Sequence, residues 1–596
     1  MPGPTADVLI SQFFLKIDGQ TPPANADMAE LSRDVIEIVV DLDLNQPDMF
    51  TIHVHDKELK WVDSELLVVG KPVEISAKAG SHQEEGAEQE GLLIKGEITA
   101  LEPDFSSSGE PTLVVRGYDR SHRLHRGKQT RSFLKMTDSD LVSKIAGEAG
   151  LSAQVDPTSP AYDYVLQNNQ TNYEFLMGRA QRIGYQLHVE DKTLYFQKGD
   201  KDQGAGPELE WGVNLRTFRP RLTSIHQANE VMVRGWDPKS KKEIVGLAST
   251  GQLKPQVGLP ESGGALAQKA FGQAKTIVVN YPIFTQAEAN AMAQAVCDEI
   301  SGDFIQAEGI CLGDPRLKAG KKVKITGVGT RFGGDYFVTS ATHTYSSKIG
   351  YETRFNVSGR QPNTLTHLLD SENGHYLDRG QLQGVVTALV TNLRDPEELG
   401  RVKVKYAWLG DNIESDWVRI AAPMAGAGRG FFYLPEVNDE VLIAFEHGDV
   451  HHPYLIGQLW NGKDKPPKQN SEVLDKDGKV AQRILKSRSG HVVILDDTGS
   501  DEKIIVRDKT GNNEMVIGSA KNSMTIKVDG DFTVEAKGKI ILNSTQDMTL
   551  ESKANGSVKG LQLSLEGTTT GTFKGATLNV DGSALTNIKG GVVKIN

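Results

Sequence analysis

From Arg483 to Asn596 short apolar clusters recur between Gly, Asp, Asn and Lys, with no helical spacing anywhere in the run. Val493-Ile494-Leu495 is followed by Ile504-Ile505-Val506, Met515-Val516-Ile517, Met524-Thr525-Ile526, Phe532-Thr533-Val534, Ile540-Ile541-Leu542, Met548-Thr549-Leu550, Leu561-Gln562-Leu563, Thr577-Leu578-Asn579-Val580 and Val592-Val593-Lys594-Ile595. The step begins near eleven residues and tightens to about eight. Each unit has room for one strand of period two and one turn, the pattern of a β-solenoid or β-prism. A single copy makes a ribbon too thin to cover its own core, with open edges that invite aggregation. Three chains wound about one axis meet both needs, with Ile541 and Leu550 expected in the shared interior. A dozen units advancing about 4.8 Å each would make a rod on the order of 60 Å long.

A chain of 596 residues exceeds what one hydrophobic core supports, so several domains are expected. It contains no apolar run of eighteen residues, and its first residues lack the charged and apolar regions of a secretory signal. Synthesis in the cytoplasm is therefore expected. Cys297 and Cys311 are too few for a disulfide framework and lack zinc spacing, so both are expected as buried free thiols. The net charge of -12 argues against a nucleic-acid footprint. From Ala481 onward 15 basic residues stand against 13 acidic ones, leaving 51 against 65 in the rest. The acidity thus sits in the head, which disfavours DNA wrapping and charge anchoring to anionic lipid.

Residues 1 to about 120 are predicted as strands of an antiparallel barrel, among them Ile36 to Leu44, Phe50 to His55, Leu92 to Ile98 and Leu113 to Asp119. Ser81 to Gly91 is too polar to bury and is expected as a solvated loop. Three helices follow, opening at Thr137, Thr171 and Thr285 with a capping-box pattern and stopping at Gly150, Gly184 and Gly302. Intervening strands run from Gln186, Thr193, Glu230 and Lys322, so the front is expected as two small barrels with helical inserts. Residues 361–380 are expected as a linker.

Three stretches carry a resemblance. Leu113-Val-Val-Arg-Gly-Tyr-Asp-Arg-Ser-His-Arg-Leu-His, Gln170-Thr-Asn-Tyr-Glu-Phe-Leu through Arg182-Ile-Gly-Tyr, and Gly327-Val-Gly-Thr-Arg-Phe-Gly-Gly-Asp-Tyr-Phe-Val-Thr-Ser-Ala-Thr-His resemble the hub of VgrG-type spike proteins. The nearest branch is that of phage-tail-like contractile injection systems. The resemblance implies a trimeric ring of pseudo-sixfold symmetry that joins a sixfold tube to a threefold spike.

Between Leu382 and Trp460, strands starting at Gly384, Gly400, Trp417, Glu440 and Tyr454 give the five expected of an OB barrel. Asp416-Trp-Val-Arg-Ile-Ala-Ala-Pro-Met-Ala-Gly and Gly430-Phe-Phe-Tyr-Leu-Pro-Glu-Val-Asn-Asp-Glu-Val-Leu-Ile-Ala-Phe resemble the OB segment of the same family. Asn438 stands where that family usually has Gly, and Asn tolerates a left-handed turn. Gly426, Gly428 and Gly430 let a backbone pass close to a neighbour, and without a following Lys-Ser/Thr and helix they are not a phosphate loop.

No residue is assigned to catalysis, to a cofactor or to a metal. His447, His451 and His452 are expected at the surface rather than as ligands. His53 and His55 share a strand face without a third ligand nearby. Asp496-Asp497, Asp501-Glu502 and Asp529/Asp531 lack the repeat of calcium-binding β-rolls and are expected to solubilise turns. Gly-x-Ser-x-Gly, His-Glu-x-x-His and a nucleophilic cysteine context are missing from the sequence, so an enzyme is not expected. The linker leaves no room for a lysozyme domain, and no toxin domain is expected after the last strand.

The expected protein is mainly β and multidomain: a hub at 1–360, a linker at 361–380, an OB-fold domain at 381–470 and an intertwined trimeric β-helix or β-prism spike at 471–596. Its expected function is structural, as the homotrimeric hub and needle of a contractile injection particle that contacts the target membrane mechanically. The partners implied are inner tube and baseplate subunits, a PAAR-repeat-type tip protein and effectors, with no nucleic acid and no cofactor. The alternatives are a tailed-phage baseplate spike and a glycan-binding or glycan-cleaving tailspike. The tailspike reading suits poorly a needle whose only aromatics after Trp460 are Phe532 and Phe573.

Overall fold

The computed structural model describes residues 12–22, 24–79, 89–107, 109–199, 205–252, 256–357, 382–406, 408–410 and 413–595. The expected linker at 361–380 and residues 81–88 of the polar loop lie outside them. The chain divides into two units, Met1–Pro466 and Pro467–Asn596.

The first unit is built on a ten-stranded sheet. Its front half comes from β1 (Gln12–Ile17), β2 (Val35–Asp43), β3 (Met49–His55), β4 (Pro72–Ala79), β5 (Gln89–Asp104) and β6 (Thr112–Asp119) in the order β1-β4-β5-β6-β3-β2. The sheet then continues through Ser340–Ser346, Gly350–Val357, Ile305–Leu312 and Leu215–Leu222. Period-two alternation puts Ile38, Val40 and Leu42 of β2, with Leu113 and Val115 of β6, into one core. Gly117 has a packing reason, because a Cβ there would lie 2.3 Å from the Phe50 ring.

The two barrels are thus joined rather than separate. β2 pairs antiparallel with Ser340–Ser346 from Glu37↔Ser346 to Asp43↔Ser340, and Thr342 donates to Asp41 at 2.7 Å. Pairing across some 300 residues leaves no mark in a local pattern. Smaller sheets complete the head, and Glu230–Asp237 with Lys242–Ala248 cover a core of their own.

Among the described residues five helices dress these sheets: α1 (Ala26–Asp34), α2 (Asp138–Glu148), α3 (Asn172–Arg182), α4 (Gly263–Phe271) and α5 (Gln286–Gly302). Thr137, Thr171 and Thr285 cap α2, α3 and α5 as the sequence predicts. The full capping box forms at α2 and α3 only. At α5 the Glu288 carboxylate reaches Phe284 N and turns to Arg182 instead. Helices α1, capped by Asn25, and α4, capped by Ser262, are nine residues each and add to the three helices expected from the sequence.

The OB domain forms a five-stranded sheet in the order Lys403–Lys405, Val385–Asn392, Glu440–Phe445, Pro453–Gln458, Arg419–Ile420. Paired hydrogen bonds between Val402 and Val418, of 3.0 and 2.7 Å, join its two ends and close the barrel. Asn438 has φ +75°, the left-handed turn expected of it, and donates its N–H to Val390 O at 2.8 Å.

In the second unit, Gln482–Lys486, Val492–Asp496, Lys503–Arg507, Glu514–Gly518 and Ser523–Lys527 form an antiparallel meander. Beyond it the chain runs extended, with bends at 529–530, 537–538, 545–546, 553–554, 561–562, 568–569, 576–577, 583–584 and 591–592. The apolar clusters expected as strands there form no ladder within the chain.

Candidate functional site

Two places stand out: the joint between head and OB barrel, and the exposed rows of the second unit. The joint begins at Tyr162–Gln170, whose Leu166 is buried in the OB core with Val390, Val404, Val441 and Ile443. Leu166 donates its backbone N–H to His451 Nε2 at 2.8 Å, and His451 Nδ1 lies 2.5 Å from Asp449 Oδ1. His452 stacks on Phe284 with ring centroids 4.1 Å apart. Burial pushes the Asp449 carboxyl up, but the hydrogen bond it accepts from His451 and the positive charge of Arg182 oppose that, and it is held well below the usual carboxylate range. Burial takes His452 down to about 3.

The expectation of surface histidines is therefore corrected for His451 and His452, which seat the barrel on the head. Only His447, at φ +50°, is exposed. No side-chain sequence signal singles out His451, because its partner is a backbone amide 285 residues away. Among the described residues no group of three or more His, Cys, Asp or Glu side chains is placed to hold a metal.

The sequence motifs of the head resolve into supports. Arg123 forms a fork with Glu97 at 2.6 and 3.0 Å, and Arg120 and His122 reach the same carboxylate at 3.2 and 3.0 Å. Arg179 on α3 is buried against Asp138 on α2 at 2.5 Å and over the Tyr162 ring at 4.4 Å. His343 is fully buried between Tyr351 Oη at 2.8 Å and Leu317 O at 3.0 Å, and burial lowers it to about 3. His53 faces Glu37 and His55 faces Glu110, each at 4.0 Å.

One feature the sequence gives no hint of is a carboxylate group where β2, β3 and β6 meet, with Asp119 buried and Asp43 and Asp48 half-buried. Asp48 accepts from the backbone N–H of Asp43 at 2.9 Å, and its own carbonyl accepts from Asp119 N at 2.9 Å. Burial pushes Asp43 up to about 6 and Asp119 up to about 7, and raises Asp48 well above its ordinary range. These residues border a cavity of about 310 Å³ that Lys318 and His188 also line. A larger cavity of about 550 Å³ lies between α3 and α5. Cys297 and Cys311 are free and buried, and burial raises both thiols.

In the second unit the acidic residues build turns. Asp496 is buried and accepts from Thr498 N at 3.0 Å and from Gln482 Nε2 at 2.8 Å, and Asp497 pairs with Arg483 at 2.6 Å. From 528 to 595 every residue is exposed. The bends are eight residues apart except for two spacings of seven. Three residues before each bend after the first stands a large apolar side chain: Val534, Leu542, Leu550, Val558, Leu565, Phe573, Val580 and Ile588. The residue just before each of these eight bends is Ala, Ser or Gly. This frame keeps Leu550 in the apolar row. It places Ile541 at a position held by Thr533, Thr549 and Ser557 in neighbouring units, outside that row.

Comparison with known proteins fits this layout. A family model described as the Alg8 N-terminal domain matches residues 17–347, more than half of the chain. The chain belongs to the Alg8 N-terminal domain family. A second model, the type VI secretion system/phage-baseplate injector OB domain, matches residues 386–460. The curated proteins it matches are type VI secretion system VgrG spike proteins, in line with the injector OB domain at 386–460. It is 23% identical to type VI secretion system spike protein VgrG5 of Pseudomonas aeruginosa over 63% of this chain and 51% of that protein. It is 32% identical to VgrG2a of the same organism over 12% of this chain and 9% of that protein. The chain thus spans about half the length of the first of these relatives and far less of the second. Among solved structures, the lidded Francisella PdpA-VgrG complex shares the fold, with a TM-score of 0.51 at 8% identity over 87% of this chain and 80% of that one. Among the described residues no helix is long and apolar enough to cross a membrane.

Proposed function

We propose that three copies of this chain form the hub and needle of a contractile injection particle, joining a sixfold tube and baseplate to a threefold spike. The parts are a hub at 1–360, a linker at 361–380, an OB collar at 381–470 and a β-helical needle at 471–596. The role is mechanical rather than catalytic: contraction drives the needle into a target membrane. Inner tube and baseplate subunits, a PAAR-repeat-type tip protein and effectors are the partners, and the cytoplasm is where the protein is made.

One observation carries the reading. Residues 528–595 follow an evenly bent path with every apolar side chain exposed, and among the described residues beyond Lys527 no backbone-to-backbone hydrogen bond forms within the chain. Such a path is stable only if other strands of the same period supply its hydrogen bonds and cover its apolar row. Sedimentation equilibrium of the full chain tests this. A species near three times 65.0 kDa is expected, and a monomer at micromolar concentration overturns the reading.

A further inference from the structure

We propose that the meander Gln482–Lys527 is the surface on which three copies first meet, and that it sets the register in which residues 528–595 then close. This rests on the three-copy reading above and adds an order of events to it.

The two parts differ in what one copy can build alone. The five strands of the meander pair in sequence order, Arg483↔Leu495, Leu495↔Ile504, Ile504↔Ile517 and Ile517↔Met524, through loops of four to six residues. Contacts this local form fast and need no second chain. One face is largely covered at its centre: Ile494 and Ile505 are buried, with Asp496 held by Gln482 and Arg507 by Glu514 at 2.5 Å on either side. The other face carries the row Leu495, Ile504, Ile517, Met524 beside Val493 and Val506, all exposed. Its charged member, Arg483, sits at the edge and is paired with Asp497. Only an apolar surface complements such a face, and burying it is favourable by the ordinary hydrophobic effect.

The occupant follows from the chain that leaves this sheet. Residues 528–595 gain hydrogen bonds only from strands of the same period, which a second and third copy of this chain supply. That segment is poorly suited to finding its own register. Because the apolar residue three places before the bend recurs in every unit, a slip of one unit leaves Val534, Leu542 and Leu550 matched to one another. The two seven-residue spacings penalise a slip only after pairing has reached them. The meander does not repeat in this way: its strands are joined by loops of unlike length, and its apolar rows end at Arg483 on one side and Met524 on the other. It can fix three chains against one another before any bend is paired.

Hydrogen exchange of the full-length protein, read by mass spectrometry, tests the order. In Ile504→Lys/Ile517→Lys the altered side chains are exposed in the single chain, so the rungs between 503–507 and 514–518 should stay protected. Peptides across 528–595 should exchange faster than wild type by about two orders of magnitude or more, even where the head holds copies together. In Leu550→Lys, peptides across 482–527 should keep wild-type protection, with loss confined to the bent segment. Wild-type protection of 528–595 in the double variant overturns the proposal, as does loss of 482–527 in Leu550→Lys or unprotected rungs in the double variant. A monomeric wild-type protein instead overturns the three-copy reading itself.

Discussion

The backbone N–H of Leu166 donates to Nε2 of His451, 2.8 Å away, while Nδ1 of the same ring faces Asp449 at 2.5 Å. An acceptor at Nε2 requires the neutral ring with its proton on Nδ1, so Asp449 selects the tautomer that holds the OB barrel to the head. In His451→Phe the Leu166 amide is left buried without a partner, at a cost of roughly 1–3 kcal/mol. The thermal midpoint should fall and the Leu166 amide should lose exchange protection. His451→Gln, which can still offer a carbonyl, should lose less of both. A Leu166 amide as protected in His451→Phe as in wild type would remove this bond from the joint.

The Asp43 and Asp119 carboxylates give the head a pH dependence of known sign. Asp43 at about 6 and Asp119 at about 7 lie above the unfolded values, so the fold prefers their protonated forms. Their contribution is fully present below about pH 4 and is lost as pH rises through 6 to 7. Asp119→Asn keeps an acceptor for Ser121 N and removes the charge. It should stabilise the head at pH 8 by on the order of 1–3 kcal/mol and change little near pH 4, as thermal melts at the two values would reveal. An equal effect at both would assign the change to packing.

Arg179 and Asp138 tie α2 to α3 in a buried pair 2.5 Å apart. Neutralising one member strands the other charge, which costs roughly 3–5 kcal/mol when the pair is buried. Asp138→Asn is therefore expected to destabilise the head strongly. The double variant Asp138→Asn/Arg179→Met should recover part of the loss in chemical denaturation, and a double variant no better than the single would contradict the pair's role.

Much of this protein is legible in local pattern. Alternation marked β2, β3 and β6, threonine caps marked α2, α3 and α5, and the eight-residue step marked the second unit, because periods of two, 3.6 and eight are properties of neighbouring residues. Asn438 was legible too, since a left-handed turn is a demand on one residue. Short helices such as α1 were not, having fewer than three turns in which to display a period.

What the sequence by itself determined is the alternating strands, the three threonine-capped helices and the eight-residue step of the second unit. Only the tertiary structure decided that Asp43, Asp48 and Asp119 share one site, that β2 joins two half-barrels through Ser340–Ser346, and that His451 is a support rather than a surface residue. It also set the frame of the bends, which keeps Leu550 in the apolar row and puts Ile541 outside it. The reason is common to all four: each depends on where a distant or repeated backbone lies, and a side chain's local sequence carries no record of that.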